Sequence, residues 1–92
     1  MQKIVINSCY GGFSLSTKAV DRLLELGYKV EIGGREVPRD EVRLIQVVGE
    51  LEGKANGGCA ELRIIEIPDG VDWEIEEYDG MEWVAERHRR WG

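Results

Sequence analysis

The dipeptide Asp79-Gly80 constrains this chain more than any other feature. A two-residue loop of that type takes positive φ at both positions and turns the chain with the twist that adjoining strands need. It lies between Trp73 to Tyr78 and Met81 to Arg87, so it predicts a β-hairpin whose register follows from loop length. Ile75 then faces Val84, Asp72 faces Arg87, and Glu77 faces Glu82. The last pair is a like-charge contact, mildly unfavourable unless both groups are solvated or a cation lies near. Solvation is the simpler expectation.

The rest of the chain can be placed around that hairpin. Lys3-Ile4-Val5-Ile6-Asn7 is apolar on both faces and predicts a central strand. Ser8 to Leu15 is a glycine-containing turn. Ser16 is suited to cap a helix, with Leu15 and Val20 in the staple positions and Val20, Leu23 and Leu24 as its apolar stripe. Gly27 stops that helix. Tyr28 to Ile32 alternates like a half-buried strand, and Gly33-Gly34 supplies a turn. Beyond Pro38, Asp40 can cap a second helix with Leu44, Ile45, Val48 and Leu51 on one face, closed by Gly53. Lys54 to Gly58 is a loop, and Leu62 to Ile67 a strand halted by Pro68-Asp69-Gly70. The expected fold is α+β: a single two-layer domain over residues 1–92, two helices packed on a mixed, mainly antiparallel sheet of about five strands.

Length and charge narrow the functional classes. A chain of 92 residues buries only roughly 60–65% of its unfolded surface, so its core is thin and a homo-oligomer is expected. The formal charge of −6 argues against a grip on duplex nucleic acid. It leaves room for a small anionic ligand, because a pocket can be locally positive on an acidic surface. Every charged residue from Val71 to Glu86 is acidic, and Arg87, His88, Arg89 and Arg90 follow. No stretch is long and apolar enough to span a bilayer, and the first residues have a strand pattern, not that of a secretory signal. Cys9 and Cys59 lack metal-ligand spacing and are expected free and reduced, as in a soluble intracellular domain with no membrane partner.

Several residues could carry chemistry. The turn Tyr10-Gly11-Gly12-Phe13-Ser14 precedes a capped helix, and free amides with a helix dipole make an anion site. The alternative is a tight connection that needs glycine for positive φ. Tyr10 and Phe13 could stack a nucleobase, or fill the core. Arg39 and Arg43 could fork phosphate oxygens and would share a face if the helix reached Arg39; otherwise they are solvated or paired with acids such as Glu36, Asp40 and Glu50. His88 and Arg89 belong to a basic tail with the same two readings. Asn7 could aim its amide at a base or ribose. Neither a phosphate-loop nor a dinucleotide motif is present, and one histidine is a poor start for a metal site. Cys9 with His88 is the only nucleophile–base pairing worth naming, and no spacing fixes them together. No catalytic residue, metal or cofactor is expected, and the chain reads as a binder that is not an enzyme.

Lys3 to Ser16 and Ile67 to Gly80, continued through Glu82, Glu86, His88, Arg89 and Trp91, resemble a family of small phage proteins. With Leu44 to Val48 and Lys54 to Gly57 between them, the likeness covers most of the chain. The family is similar to the type-one Thoeris anti-defence proteins. That resemblance implies a viral protein in the cytoplasm of the infected bacterial host, a homo-oligomer that sequesters a cyclic ADP-ribose isomer without cleaving it. Some members are understood to hold cyclic oligonucleotides at separate sites. Many relatives have a longer insertion where this chain has only Lys29 to Pro38, and Arg39 is the position that carries over best. Two other expectations compete: an acidic protein–protein inhibitor of a host factor that uses the carboxylates of the hairpin, and a small nucleotide-modifying enzyme.

Overall fold

The computed structural model describes residues 1–30, 34 and 36–87. Strand β1 (Gln2–Asn7) is followed by helices α1 (Thr17–Glu25) and α2 (Val42–Leu51). A 3-10 turn at Glu52–Ala55 leads to β2 (Leu62–Ile67), β3 (Trp73–Tyr78) and β4 (Met81–Glu86). Among the described residues the strands form two antiparallel pairs, β1 with β2 and β3 with β4. The class is α+β as expected, but the described residues form four strands in two small sheets in place of one mixed sheet of about five.

The expected strand over Tyr28 to Ile32 accounts for much of that difference. No strand is assigned from Tyr28 to Val30, and residues 31–33 lie outside the described residues. Tyr28 instead completes the cap of α1: its N–H donates to the Leu23 carbonyl at 2.9 Å, and Gly27, at φ +88°, donates to Leu24 at 2.9 Å. Both bonds satisfy carbonyls that the helix end leaves open. Tyr28 and Val30 pack against the core, so their alternation reflects burial without a ladder. The edge of β1 where a further strand could pair is also occupied. Val5 N–H donates to the Arg39 carbonyl at 2.8 Å, and Asn7 N–H to a Glu82 carboxylate oxygen at 2.8 Å.

Helix α1 starts where its cap predicts, with the Ser16 hydroxyl accepting from Ala19 N–H at 3.2 Å. Its buried face is Ala19 and Leu23 with Val20 beside them, whereas Leu24 is exposed. Helix α2 is capped by Glu41, not Asp40, and buries Val47 alongside Leu44 and Val48. Val5, Phe13, Leu15, Val37 and Ala55 complete this core, with Leu62 and Ile64 of β2 packed against it. Ile4 and Ile6 point to the other face of β1 and are buried too. Besides β2, β1 contacts both α2 and β4, and its residues are buried on both faces. No helix among the described residues is long and apolar enough to cross a membrane.

The hairpin has the register its loop predicts. Ile75 pairs with Val84 and Glu77 with Glu82. Asp79 and Gly80 both take positive φ, 50° and 90°, as a two-residue turn of this kind requires. Arg87 N–H donates to the Asp72 carbonyl at 2.8 Å, which extends the pairing by one step.

Candidate functional site

The end of β1, the glycine turn and the tip of the hairpin meet at one place. Asn7 is fully buried there. Its side-chain amide donates to the carbonyls of Cys9 at 2.7 Å and Gly80 at 2.8 Å, and its carbonyl oxygen accepts from Glu61 N–H at 2.8 Å and Cys9 N–H at 3.3 Å. All of its hydrogen-bonding capacity is therefore used in joining three chain segments. Gly11 N–H donates to the Asp79 carbonyl at 3.0 Å, so one amide of the turn is also engaged. A Cβ built on Gly80 would lie 2.1 Å from the Gly12 nitrogen, so backbone packs directly on backbone and leaves no space for a side chain.

Beside this contact Arg39 lies over Phe13, its guanidinium carbon 3.7 Å from the ring centroid. Both arms of the guanidinium reach Glu82, the second at 2.9 Å. The two side chains are 15% and 8% exposed, so the pair is nearly dry. Glu82 thus accepts two bonds from Arg39 and one from Asn7 N–H. The expectation that Glu77 and Glu82 would both be solvated is corrected: Glu77 is exposed, but Glu82 turns inward to a cation. Gly12, Phe13, Arg39, Glu77 and Glu82 line a pocket of about 180 Å³. Its described lining carries one positive group, Arg39, against two negative ones, Glu77 and Glu82. Larger grooves lie elsewhere, one apolar between β1 and α2 and one of mixed charge between α1 and α2.

The sequence-predicted residues are only partly brought together. Gly12, Phe13 and Arg39 share the pocket, with Asn7 and Gly11 directly behind it. Tyr10 is exposed. Ser14 uses its carbonyl to accept from Gly57 N–H at 2.9 Å. Residues 13–16 separate the glycine pair from the first turn of α1, where Leu15 bridges to Asn56. Arg39 precedes α2 and is not on it. Arg43 lies apart from the pocket, bonded to Glu41 at 2.9 Å and stacked 4.7 Å over the Tyr28 ring. That bond holds the Glu41 carboxyl below its ordinary range. His88 and Arg89 lie outside the described residues.

Sequence reasoning missed Glu82 as a structural acid, and the signal for it was the like-charge pair itself. A second group it did not single out is the outer face of the hairpin. Tyr78 and Trp83 are exposed there, and Trp83 donates its indole N–H to Glu76 at 3.1 Å. Among the described residues no cluster of three His, Cys, Asp or Glu is placed to hold a metal. No family model, curated protein or solved structure matches this chain.

Proposed function

We propose that this chain is a binding protein that acts by occupancy, without turnover, and that the hairpin β3–β4 is its surface for a basic protein partner. One observation carries the reading: the Arg39 guanidinium at the pocket turns inward onto Glu82, while the hairpin exposes Asp72, Glu77, Asp79 and Glu86, with Glu76 half-exposed, around Tyr78 and Trp83. Exposed aromatic rings among like charges suit a partner of opposite sign, because the field guides encounter and the rings supply contact area. The test is capture of a host protein by the wild-type chain, by a Phe13→Leu pocket variant, and by a Glu74→Gln, Glu76→Gln, Glu77→Gln variant. Capture should survive the pocket change and be lost with the three glutamates. Capture indifferent to the glutamates overturns the reading.

A second reading, sequestration of a cyclic nucleotide signal as a phage anti-defence protein, is favoured by the convergence of Gly12, Phe13 and Arg39 on one pocket. Phosphate would have to replace the Glu82 carboxylate on Arg39. The pocket is smaller than the roughly 300–1,000 Å³ usual for ligands of that size, so a second copy of the chain would complete it. Glu82→Gln should then tighten binding of a cyclic ADP-ribose isomer, which heating should release unaltered. Unchanged or weaker binding, or a chemically altered product, counts against it.

A further inference from the structure

We infer that β3 accepts an added strand along its outer edge from a basic partner that alternates Lys or Arg with apolar residues. The proposal rests on the hairpin being the recognition surface and states how that surface is used.

The free edge follows from the ladder. In an antiparallel pair, facing residues alternate between exchanging hydrogen bonds and exchanging none. Asp72 and Arg87 are a bonded pair, so by register Glu74 with Ala85, Glu76 with Trp83 and Tyr78 with Met81 are bonded as well. The amides and carbonyls of Trp73, Ile75 and Glu77 therefore point away from β4. Among the described residues they have no backbone partner, and β3 pairs with no other strand. An open edge of this length is a template for a further strand.

The side chains select what can add. Glu74, Glu76 and Tyr78 lie on one face of β3, and Trp73, Ile75 and Glu77 on the other. Two copies pairing through this edge would crowd their glutamates, which cross-strand pairing disfavours. The charge that discourages self-pairing favours a cationic strand. Basic residues at alternate positions would meet Glu74 and Glu76 and stack on the exposed Tyr78 ring. The intervening positions would lie beside Trp73 and Ile75, both only half-buried, and so should be apolar.

The probe is a capped hexapeptide alternating Arg and Val, added to the isotopically labelled full chain. Comparison peptides are the same residues in two blocks, and the alternating peptide N-methylated on the amides that would face β3. Strand addition predicts slowed hydrogen exchange at Trp73, Ile75 and Glu77 and binding about tenfold or more weaker after N-methylation, since backbone bonds are lost while charge is kept. Equal binding by the N-methylated peptide, or protection confined to other residues, overturns strand addition. If such binding still disappears in the three-glutamate variant, the recognition surface stands and only its mode is refuted. If no basic peptide binds in a glutamate-dependent way, both fail.

Discussion

Glu77 and Glu82 face each other across one rung, yet the structure gives them opposite fates, and this can be measured. Replacing Glu82 with Ala removes both bonds to Arg39 and the acceptor for Asn7 N–H. The guanidinium left behind is 15% exposed and the Asn7 backbone is buried. Breaking a buried pair from one side costs about 3–5 kcal/mol, most of it from the charge that loses its partner. A small domain has only about 5–15 kcal/mol in total, so Tm should fall by roughly 15 °C or more. Glu77→Ala, which relieves a like-charge contact at an exposed site, should change stability by less than about 0.5 kcal/mol. Thermal and urea unfolding followed by far-UV circular dichroism read both. The double variant Arg39→Met, Glu82→Leu should recover part of the loss, since it removes the orphaned charge and leaves only the Asn7 amide unsatisfied. Equal effects of the Glu77 and Glu82 changes, each under 0.5 kcal/mol, would refute the idea of a dry ion pair.

Three further outcomes follow from single contacts. Gly80→Ala should destabilise by about 2 kcal/mol or more, because φ is +90° and the new Cβ would meet the Gly12 backbone; a neutral result in chemical denaturation would mean the hairpin does not pack on that turn. Ser16→Ala should cost about 1 kcal/mol, since the hydroxyl caps α1 and also donates to the Lys54 carbonyl at 2.7 Å. The bond from Arg22, helped by Gln46, holds Glu50 below its ordinary value of 4.5. A depressed folded-state pKa gives stability that is present above the unfolded value and lost as pH falls through the folded one. The urea midpoint should therefore drop as pH falls below about 4.5, less steeply in Glu50→Gln; identical slopes would exclude that contribution.

What was legible in the sequence was local. The hairpin register depends on two loop residues, and the start of α1 on one hydroxyl, so both could be read without knowing the rest of the chain. Leu44 and Val48 were found from helical spacing. Val47 was not, because Leu44, Ile45, Val48 and Leu51 already made a sufficient stripe. The expected strand at Tyr28 failed because alternation reports burial, and a helix cap followed by a core contact gives the same pattern. Arg39 was picked out for its fork geometry, which suits carboxylate as well as phosphate. The ladder contained the missing clue: a glutamate forced against a glutamate calls for a cation, and Arg39 is distant in sequence but adjacent in space.

The two sheet edges are kept from pairing by different means. Alternation along β1 directs the amides of Val5 and Asn7 away from β2, where an unpaired edge would invite aggregation. Arg39 closes that edge twice, its carbonyl accepting from Val5 and its guanidinium holding the carboxylate that accepts from Asn7. A single loop residue thus replaces a strand and ties the hairpin to the sheet of β1 and β2. That use leaves the outer hairpin with carboxylates that Arg39 does not balance; among the described residues Arg87 lies within 4 Å of Asp72 and Glu74. Among the described residues no element covers the edge of β3, and charge is what protects it from its own kind. Under the strand-addition proposal, an edge defended in that way stays open to a partner of opposite charge, because the cation that shuts β1 is spent on Glu82 and leaves the glutamates of β3 free to attract one.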